Sequence, residues 1–449
     1  MVQTKSLTLD ELKDAVTGGA CAFRSRTNLQ PAGGEGDKVF PPTYAGAAYA
    51  REQRRLPGRE EPVDCVLLDS VPSQANRMEE ALQAAADEGR LQIPLIVVDF
   101  SEADRDLLTP IGRVTSLQAP HRVADAILRD SLLDGTPFRK TDEAKCLDTA
   151  SIANATPLYR LCPAALIFGM WDSTGPKGGM GAKFQRAMVG EIVGIDAVFG
   201  VKTHSRIDPL GIVKDAGPLF RTPDGGWTLC REEALAKEGK LVLYKPKDKK
   251  DVLWDPKMYE GKVPEQGRPS EANHSNVIPD FDYRKEKKQL ILDKNNNPIH
   301  VGGVTIRSAE QTVTLSLPAL RRLQFPVEDS QTDQQEVNAA GRSVLAALGL
   351  CAASLAAEKG LDLRSRCLLW PTEPMVWELL DRPGERPMQF ALNSEAAIGL
   401  LNEAVARAEH LGLHWRNEPL VLKPAPQLVE LVKKSQKLGA TSDDDGEAQ

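Results

Sequence analysis

The strand-and-helix pattern of the chain is clearest at residues 63–89, which read VDCVLLDSVPSQANRMEEALQAAADEG. Residues 63–69 form an apolar, β-branched run that is typical of a buried strand, and the run stops at a turn containing Pro72. Small and apolar residues then recur at helical spacing up to Gly89. This stretch therefore predicts a strand, a tight turn and a helix.

Further segments of both kinds follow along the chain. The predicted strands are residues 93–100, 164–172, 185–200, 312–317 and 366–370, and the predicted helices are residues 121–135, 343–360 and 394–412. A hairpin is predicted to turn on residues 295–297. Because strands and helices intermix without strict alternation, we expect an α+β fold with helices on one face of a largely antiparallel sheet, rather than a doubly wound parallel fold.

Length and composition are ordinary for a soluble globular protein. The 449 residues are 41% hydrophobic and 27% charged, which excludes wholesale disorder, collagen and a coiled coil. The longest apolar run, residues 344–357, is shorter than the roughly 20 residues that a bilayer requires. The N-terminus lacks the apolar core of a secretory signal, so we expect a cytoplasmic protein without membrane contact. The seven scattered cysteines predict reduced thiols.

The character of the sequence changes along the chain, and so does its charge. We expect an N-terminal segment at 1–62, a first structured part at 63–204, an insertion at 205–280, a second part with C-terminal helices at 281–439 and a disordered acidic tail at 440–449. The 56 basic and 63 acidic residues give a net charge of −7, which argues against a simple basic nucleic-acid binder. Basic residues cluster locally, however, which predicts a basic track on an acidic protein.

A glycine-rich segment carries the most informative local chemistry. Residues 175–186 read GPKGGMGAKFQR, so glycines that permit close backbone approach are accompanied by Lys177, Lys183 and Arg186. Such a loop can hold phosphates, although it matches neither a Walker loop nor a dinucleotide fingerprint. A flexible surface loop is the alternative interpretation.

Three other segments carry polar side chains suited to nucleic acid. Gln74, Asn76 and Arg77 crowd the first turn of the predicted helix, whose free N–H groups suit a phosphate; the alternative is that Ser70 or Ser73 simply caps the helix. The other two segments are KTHSRIDP at 202–209 and EANHSN at 271–276.

Catalytic and metal-binding patterns are weak. The sequence has no HExxH, no GxSxG elbow and no paired-cysteine site, and His410 and His414 have no third ligand nearby in sequence. Asp69 and Asp172 each end an apolar run next to a serine, where a nuclease can hold a carboxylate, but turn and cap roles are the alternative. We expect no catalytic residue, no cofactor and no metal.

Six blocks, in one order, resemble the backbone subunits of type I-G (formerly I-U) CRISPR effector complexes, which are Cascade backbone proteins of the RAMP superfamily. The blocks are LLDSVPSQANRMEEAL, LIFGMWDSTG, FQRAMVGEIVGID, HSRIDPLGI, ANHSNVIPD and GGVTIRSAEQTVTLSLPALRRLQFP, between residues 67 and 326. The resemblance implies a modified RRM or ferredoxin-like palm, with an antiparallel sheet and long inserted thumb and finger segments. The segment at 205–280 fits such an insertion.

The resemblance also implies a function without catalysis. Many copies stack head to tail along one guide RNA (crRNA) as a helical oligomer, and they present the guide for pairing with a target DNA strand. Other subunits complete the ribonucleoprotein, and a helicase-nuclease is recruited separately. The RNA-binding residues implied are Gln74, Asn76, Arg77, Ser173, Thr174, Arg186, His204, Ser205, Arg206, His274 and Asn276. Lys177 and Lys183 are added on chemical grounds.

The scarcity of aromatic residues indicates how RNA is bound. Aromatics are only 5% of the chain, and no RNP1-type aromatic strand is present, so stacking of successive bases on the sheet is not expected. Contacts to the phosphate backbone suit a protein that accepts any guide sequence. Two rival functions stay open: a RAMP-type endoribonuclease using His204 or His274, or Asp69 or Asp172, and an interaction scaffold that binds no nucleic acid.

Overall fold

The computed structural model describes residues 4–45, 48–173, 181–245, 251–255, 263–283, 285–286, 289–292, 299, 302–327 and 333–443. The chain divides into two compact units: residues 1–199 with 303–430, and residues 200–302 with 431–449. The second unit overlaps the predicted insertion at 205–280 and extends past it at both ends.

The principal elements are as follows. The strands are β1 Lys5–Ser6, β2 Ala22–Pro31, β3 Arg51–Arg54, β4 Val63–Asp69, β5 Ile96–Asp99, β6 Arg113–Thr115, β7 Ser131–Leu133, β8 Thr136–Pro137, β9 Met188–Ile195, β10 Ser308–Ser316, β11 Leu361–Arg364, β12 Cys367–Pro371, β13 Trp377–Leu380, β14 Met388–Ala391 and β15 Leu420–Pro424. The helices are α1 Leu9–Thr17, α2 Val71–Asp87, α3 Ala126–Arg129, α4 Asp142–Lys145, α5 Thr156–Leu161, α6 Ala164–Phe168, α7 Leu317–Arg321, α8 Gln334–Glu358, α9 Ser394–His410 and α10 Pro426–Asp443.

Shorter elements connect these. The short strands are Lys38–Val39, Thr43–Tyr44, Ala48–Tyr49, Met170–Trp171, Lys183–Phe184, Val198–Phe199, Thr203–Arg206, Phe220–Arg221, Trp227–Thr228, Ala236–Lys237, Lys240–Leu241, Val277–Phe281, Lys285–Glu286, Gln289–Leu290 and Val304–Thr305. The 3₁₀ turns are Ala103–Asp106, Arg122–Ala124, Phe138–Lys140, Cys146–Asp148 and Pro269–Ala272.

A ten-stranded sheet forms the centre of the first unit. Its strand order is β1-β14-β13-β2-β10-β9-β4-β3, and β12 pairs with both β2 and β11. Every pairing is antiparallel except that of β1 with β14. With helices packed on this sheet, the α+β class expected from the sequence is confirmed.

The strand-turn-helix predicted at residues 63–89 is present as β4 and α2. Ser70 is the N-cap of α2, where its hydroxyl accepts a hydrogen bond from the Ser73 amide, and Pro72 occupies the first turn. The helix ends at Asp87, and Gly89 follows with a φ of +72°, which glycine adopts without strain. The sequence pattern therefore placed both elements correctly.

Helix α8 forms the centre of the hydrophobic core and contacts α1, α2 and α9. It is long and apolar enough to cross a bilayer by length and composition alone, but 89% of its most apolar window is buried inside the protein. That burial is characteristic of a core helix. Phe325 packs against the helix at Gly341, the position where a side chain is absent.

The opposite face of the ten-stranded sheet is polar. Arg24 on β2 donates two hydrogen bonds to the carboxylate of Glu378 on β13, at 2.9 and 2.7 Å. Arg26, further along β2, pairs with Glu310 on β10. Because these strand arginines are paired with glutamates, the face carries compensated charge rather than a basic surface.

A five-stranded sheet, ordered β8-β7-β15-β5-β6, contradicts the helix predicted at residues 121–135. Only Ala126–Arg129 is α-helical, capped by Asp125. Asp134 and Gly135, with φ of +48° and +80°, form the two-residue turn between β7 and β8. An Asp-Gly pair at this spacing is a hairpin signal, so Gly135 belongs to this turn and does not end a helix.

The strand predicted at residues 164–172 is also wrong over most of its length. Residues Ala164–Phe168 form helix α6, and only Met170–Trp171 is a strand. All five residues of α6 are buried, so they lack the polar face that separates a helical from a strand pattern.

The second unit has a small core of its own that the sequence did not indicate. Leu219, Phe220 and Leu243 are buried, and Phe220 meets the ring of Trp254 edge-on at a centroid distance of 5.4 Å. The core-forming residues are dispersed among many Pro and Gly residues, which hides any regular period.

Two predictions concern segments at the limits of the described structure. Helix α10 continues to Asp443, so residues 440–443 of the predicted disordered tail are helical, and residues 444–449 lie outside the described residues. The predicted turn at 295–297 also lies outside them.

The close approach of Phe325 to α8 gives a stability prediction. In Gly341→Ala the new Cβ would lie 2.6 Å from a ring atom of the fully buried Phe325, and such overpacking costs about 1–3 kcal/mol. Gly399→Ala in α9 is the matched control, since nothing lies within 4 Å of its Cβ, and it should gain up to about 1 kcal/mol from helix propensity. Urea denaturation should show opposite shifts; equal shifts would contradict the packing described.

Candidate nucleic-acid interface

Two short antiparallel strands, Met170–Trp171 and Lys183–Phe184, flank the glycine-rich segment in the sequence, and we call this strand pair the hairpin. Met170 pairs with Phe184 and Trp171 with Lys183, and the Asp172 amide donates to the Ala182 carbonyl at 2.9 Å. The predicted contacts Thr174 and Lys177 lie in residues 174–180, outside the described residues, and they stay predictions. Lys183 and Arg186, on the C-terminal side of the hairpin, are exposed.

An open cavity of about 550 Å³ lies beside this hairpin. We call it the hairpin cleft and define it by the exposed side chains Asn76, His121, Trp171, Lys183, Gln185 and Arg186. Three separate regions of the sequence meet here: the first turns of α2, the loop before Arg122, and both strands of the hairpin. The cleft thus brings together three predicted contacts, Asn76, Lys183 and Arg186.

The hairpin cleft is electropositive. Among the described residues that line it there is no acidic side chain. Lys183 lies over the ring of Trp171, with Nζ 5.3 Å from the ring centroid, and neither Lys183 nor Arg186 forms an ion pair with a described residue. A smaller adjoining cavity of about 270 Å³ shares Lys183 and Gln185 and adds the exposed Arg322. These cations form a short track suited to phosphates.

A buried ion pair supports the floor of the cleft. Arg122 Nε and Nη2 donate to the two carboxylate oxygens of Glu79, each at 2.6 Å, and Nη1 donates to the Gly169 carbonyl at 2.9 Å. Burial raises the pKa of Glu79, and the hydrogen bonds from Arg122 lower it only in part. The pair joins α2 to the residue that precedes the hairpin.

Gln74 and Arg77 face the protein rather than the cleft. The Gln74 side chain is buried; its amide donates to Asp69 Oδ2 at 2.6 Å, and its carbonyl accepts from Gln311. Arg77 Nε donates to Asp69 Oδ2 at 2.9 Å, and Nη2 donates to the Leu363 carbonyl. Their hydrogen-bonding groups are engaged inside the fold, and neither residue lines the cleft.

The two aspartates considered as nuclease carboxylates are both buried beside arginines. Asp69 accepts hydrogen bonds from Arg77 and from Ser73, and Arg364 lies 3.4 Å away. Asp172 accepts from Arg139 at 2.8 Å, and Arg139 also holds Asp148. Ser173, the next residue, is exposed.

The remaining predicted contacts lie in the second unit. Strand Thr203–Arg206, which contains His204, Ser205 and Arg206, pairs with Val277–Phe281. His204 Nδ1 lies 2.8 Å from Asp282 Oδ1, and Lys202 contacts the same carboxylate at 3.1 Å. Partial burial raises the pKa of Asp282, but the contacts with Lys202 and His204 outweigh this effect, so the pKa is lowered overall.

Asn276 and His274 have structural contacts in this unit. Asn276 Oδ1 accepts from the Asp208 amide at 2.7 Å, while Asp208 Oδ2 accepts from the Ser275 amide at 2.6 Å. The backbone hydrogen bond from Ser275, together with one from the Leu210 amide, lowers the pKa of Asp208. His274 meets the ring of Trp227 edge-on. Both residues thus stabilise a turn, and each keeps part of its surface exposed.

Four residues that line the hairpin cleft or the adjoining cavity were not among the contacts predicted from the sequence: His121, Trp171, Gln185 and Arg322. Trp171 and Gln185 lie within the quoted blocks, beside predicted contacts, and Arg322 lies in a visible basic pair. His121 had no sequence signal, because its proximity depends on the turn of Arg122–Ala124. In the part of the chain that the structure describes, no group of three His, Cys, Asp or Glu side chains is arranged to hold a metal ion.

Residues 23–198 match the model of a protein family described as "CRISPR-associated protein GSU0053". No match was found among curated proteins. The matched range includes every residue that defines the hairpin cleft. This part of the chain is therefore similar to CRISPR-associated proteins.

The buried pair under the cleft gives a pH-dependent prediction. Arg122→Met leaves Glu79 buried without its partner and should cost about 3–5 kcal/mol of unfolding free energy at neutral pH. Since the pKa of Glu79 is already raised by burial above 4.5, folding favours its protonated form, and stability is lost as pH rises through the folded pKa. Removing Arg122 raises that pKa further, so the deficit should shrink towards acidic pH.

Denaturation at several pH values measures this effect. The double variant Glu79→Gln with Arg122→Met buries no charge and should recover most of the loss at neutral pH. A loss of unfolding free energy in Arg122→Met that does not change with pH would contradict the conclusion that the variant leaves a buried, charged Glu79.

Proposed function

We propose that this protein is a non-catalytic guide-RNA-binding backbone subunit of a CRISPR interference ribonucleoprotein. In this role, copies stack head to tail along the guide and present it to a target DNA strand, together with other effector subunits and a recruited helicase-nuclease. The first unit would correspond to an RRM-like palm, and the second unit to the inserted thumb or finger. A cytoplasmic location belongs to the same proposal.

The observation that carries this proposal is the hairpin cleft. Its cations, Lys183 and Arg186, form no ion pair with a described residue, although Arg186 lies near enough to the buried Glu79 to lower the pKa of that carboxyl, and the cleft lies within the range matched by the CRISPR-associated family. Elsewhere on this unit, the arginines on the polar sheet face are paired with glutamates. Unpaired cations at one place on an acidic protein favour a polyanionic ligand bound at that place.

The chemistry of the cleft favours contacts to phosphates. A lysine and an arginine that line one cleft bind phosphate oxygens in any sequence context. Such contacts position a strand and leave its bases free to pair, as a guide requires.

The contacts of the two aspartates support a role without catalysis over the alternative of a RAMP-type endoribonuclease. Asp69 and Asp172 are buried and bonded to arginines, so neither is free to accept a proton from RNA. The His204–Asp282 contact is the feature that remains compatible with the nuclease alternative, since a carboxylate orients a histidine in many active sites.

Exposed apolar side chains in the second unit support assembly into a stack. Ile207, Leu210 and Ile278 keep 86%, 73% and 83% of their surface exposed. Apolar side chains concentrated in one region of a surface mark contact sites for other macromolecules. A contact between different surfaces of successive copies does not close into a ring, and it suits a guide of any length.

Removal of the unpaired cations tests RNA binding. Lys183→Ala with Arg186→Ala should weaken single-stranded RNA binding equally for unrelated sequences and reduce the slope of log K against log salt by about 1.4, at roughly 0.7 per phosphate contact. The matched control is Arg113→Ala with Lys423→Ala, which removes the same charge from residues paired with Asp99 and Glu102. Filter binding over a salt series measures this slope. An unchanged slope of log K against log salt in Lys183→Ala with Arg186→Ala would contradict the proposal.

Particle mass tests the assembly. Purified protein mixed with single-stranded RNAs of increasing length should give particles whose mass rises in steps of one subunit, while the free protein stays smaller. Mass photometry at one salt concentration measures this. Ile207→Ser with Ile278→Ser should reduce the number of subunits per RNA, and a single fixed stoichiometry at all lengths would exclude a stack.

A further inference from the structure

We propose that Trp171 is a stacking platform for one base of the bound single-stranded RNA. The inference rests on the proposed RNA-binding function and deepens it, because it assigns an aromatic contact to a surface so far described only by its cations. The ligand class is a nucleotide unit whose base contacts the indole ring while an adjacent phosphate contacts Lys183 or Arg186.

The exposure of Trp171 is the first argument. Its side chain keeps 52% of its surface exposed, whereas Trp377 and Trp415 in the same unit are 0% and 4% exposed. Exposed indole in a concave site costs free energy until a flat apolar surface covers it. Trp171 lines the hairpin cleft, and its backbone is paired with that of Lys183.

The neighbours of Trp171 are the second argument. Lys183 is its cross-strand partner and lies over the ring, while Asn76, Gln185 and Arg186 line the same cleft. Besides the exposed prolines Pro72 and Pro120, the exposed neighbours of the ring in the cleft are polar or cationic. The combination of one aromatic ring with a basic groove is how proteins hold single strands without reading sequence.

A stacking contact fits the requirement that any guide be accepted. Every base presents a flat π face, so the contact tolerates all four bases, while phosphate contacts fix the strand beside it. One ring per subunit would hold one base per copy and leave the other bases available for pairing. This differs from stacking of successive bases across a sheet.

The test separates base contacts from phosphate contacts. Binding of oligouridine is compared with binding of an abasic ribose-phosphate oligomer of the same length, at one salt concentration, for the wild type, Trp171→Leu and Trp171→Phe. The wild type should favour oligouridine, and Trp171→Leu should lose about tenfold of that preference, within the range measured for stacked bases. Trp171→Phe, which keeps an aromatic face, should retain most of it.

Two controls isolate the ring. Trp370→Leu removes a tryptophan that is 63% exposed on β12 and does not line the cleft, and it should leave the preference unchanged. Lys183→Ala with Arg186→Ala should weaken both oligomers equally. As a second measurement, oligouridine should quench tryptophan emission in the wild type and much less in Trp171→Phe, which does not depend on the Leu variant folding.

The outcomes are distinct. If the wild type binds both oligomers equally, or if Trp171→Leu keeps the preference while binding still depends on salt, the ring only packs against Lys183 and the stacking inference is wrong. In that case the RNA-binding proposal stands. If neither oligomer binds, the proposed function itself fails.

Discussion

The buried pairing of Arg122 with Glu79 determines how the surface of the first unit is assembled. It joins helix α2 to the loop that carries His121, and through the Gly169 carbonyl it reaches the hairpin that carries Trp171 and Lys183. A buried ion pair is costly to desolvate, and it persists here because three donors of one guanidinium are satisfied. Residues distant in sequence thereby reach one cleft with fixed spacing, as a rigid ligand site requires.

The parts of the fold that could be predicted from sequence are those with a clear period or a cap. The predicted bounds of strand β4 and helix α2 agree with the structure nearly to the residue, because the apolar run, Ser70 and Pro72 all indicate the same elements. Helix α6 was misread because all its residues are buried and it has no polar face. Strand β2 was missed because its inward positions include Ser25 and Thr27 as well as apolar residues.

The sequence indicated residue types for the candidate site but not the direction of their side chains. Of the predicted contacts, Asn76, Lys183 and Arg186 line the cleft, whereas Gln74 and Arg77, close to Asn76 in sequence, turn towards Asp69. Which helical residues face inward depends on the buried Asp69 carboxylate, and the pattern of apolar residues does not reveal a polar partner of that kind. Similarly, the compensation of Arg24 and Arg26 by glutamates across the sheet cannot be read from a count of charges.

The position of the second unit in the chain has a consequence for how the molecule reaches its folded state. Strands β9 and β10 are adjacent and antiparallel, yet roughly a hundred residues separate them, and Val198 pairs with Thr305 where that segment leaves and re-enters the first unit. Closing so long a loop slows the formation of this pairing, but each doubling of the loop adds only about 0.6 kcal/mol to the equilibrium cost. The stability of the sheet therefore depends little on the length of the inserted segment, whereas the rate at which the sheet forms depends on how early that segment becomes compact.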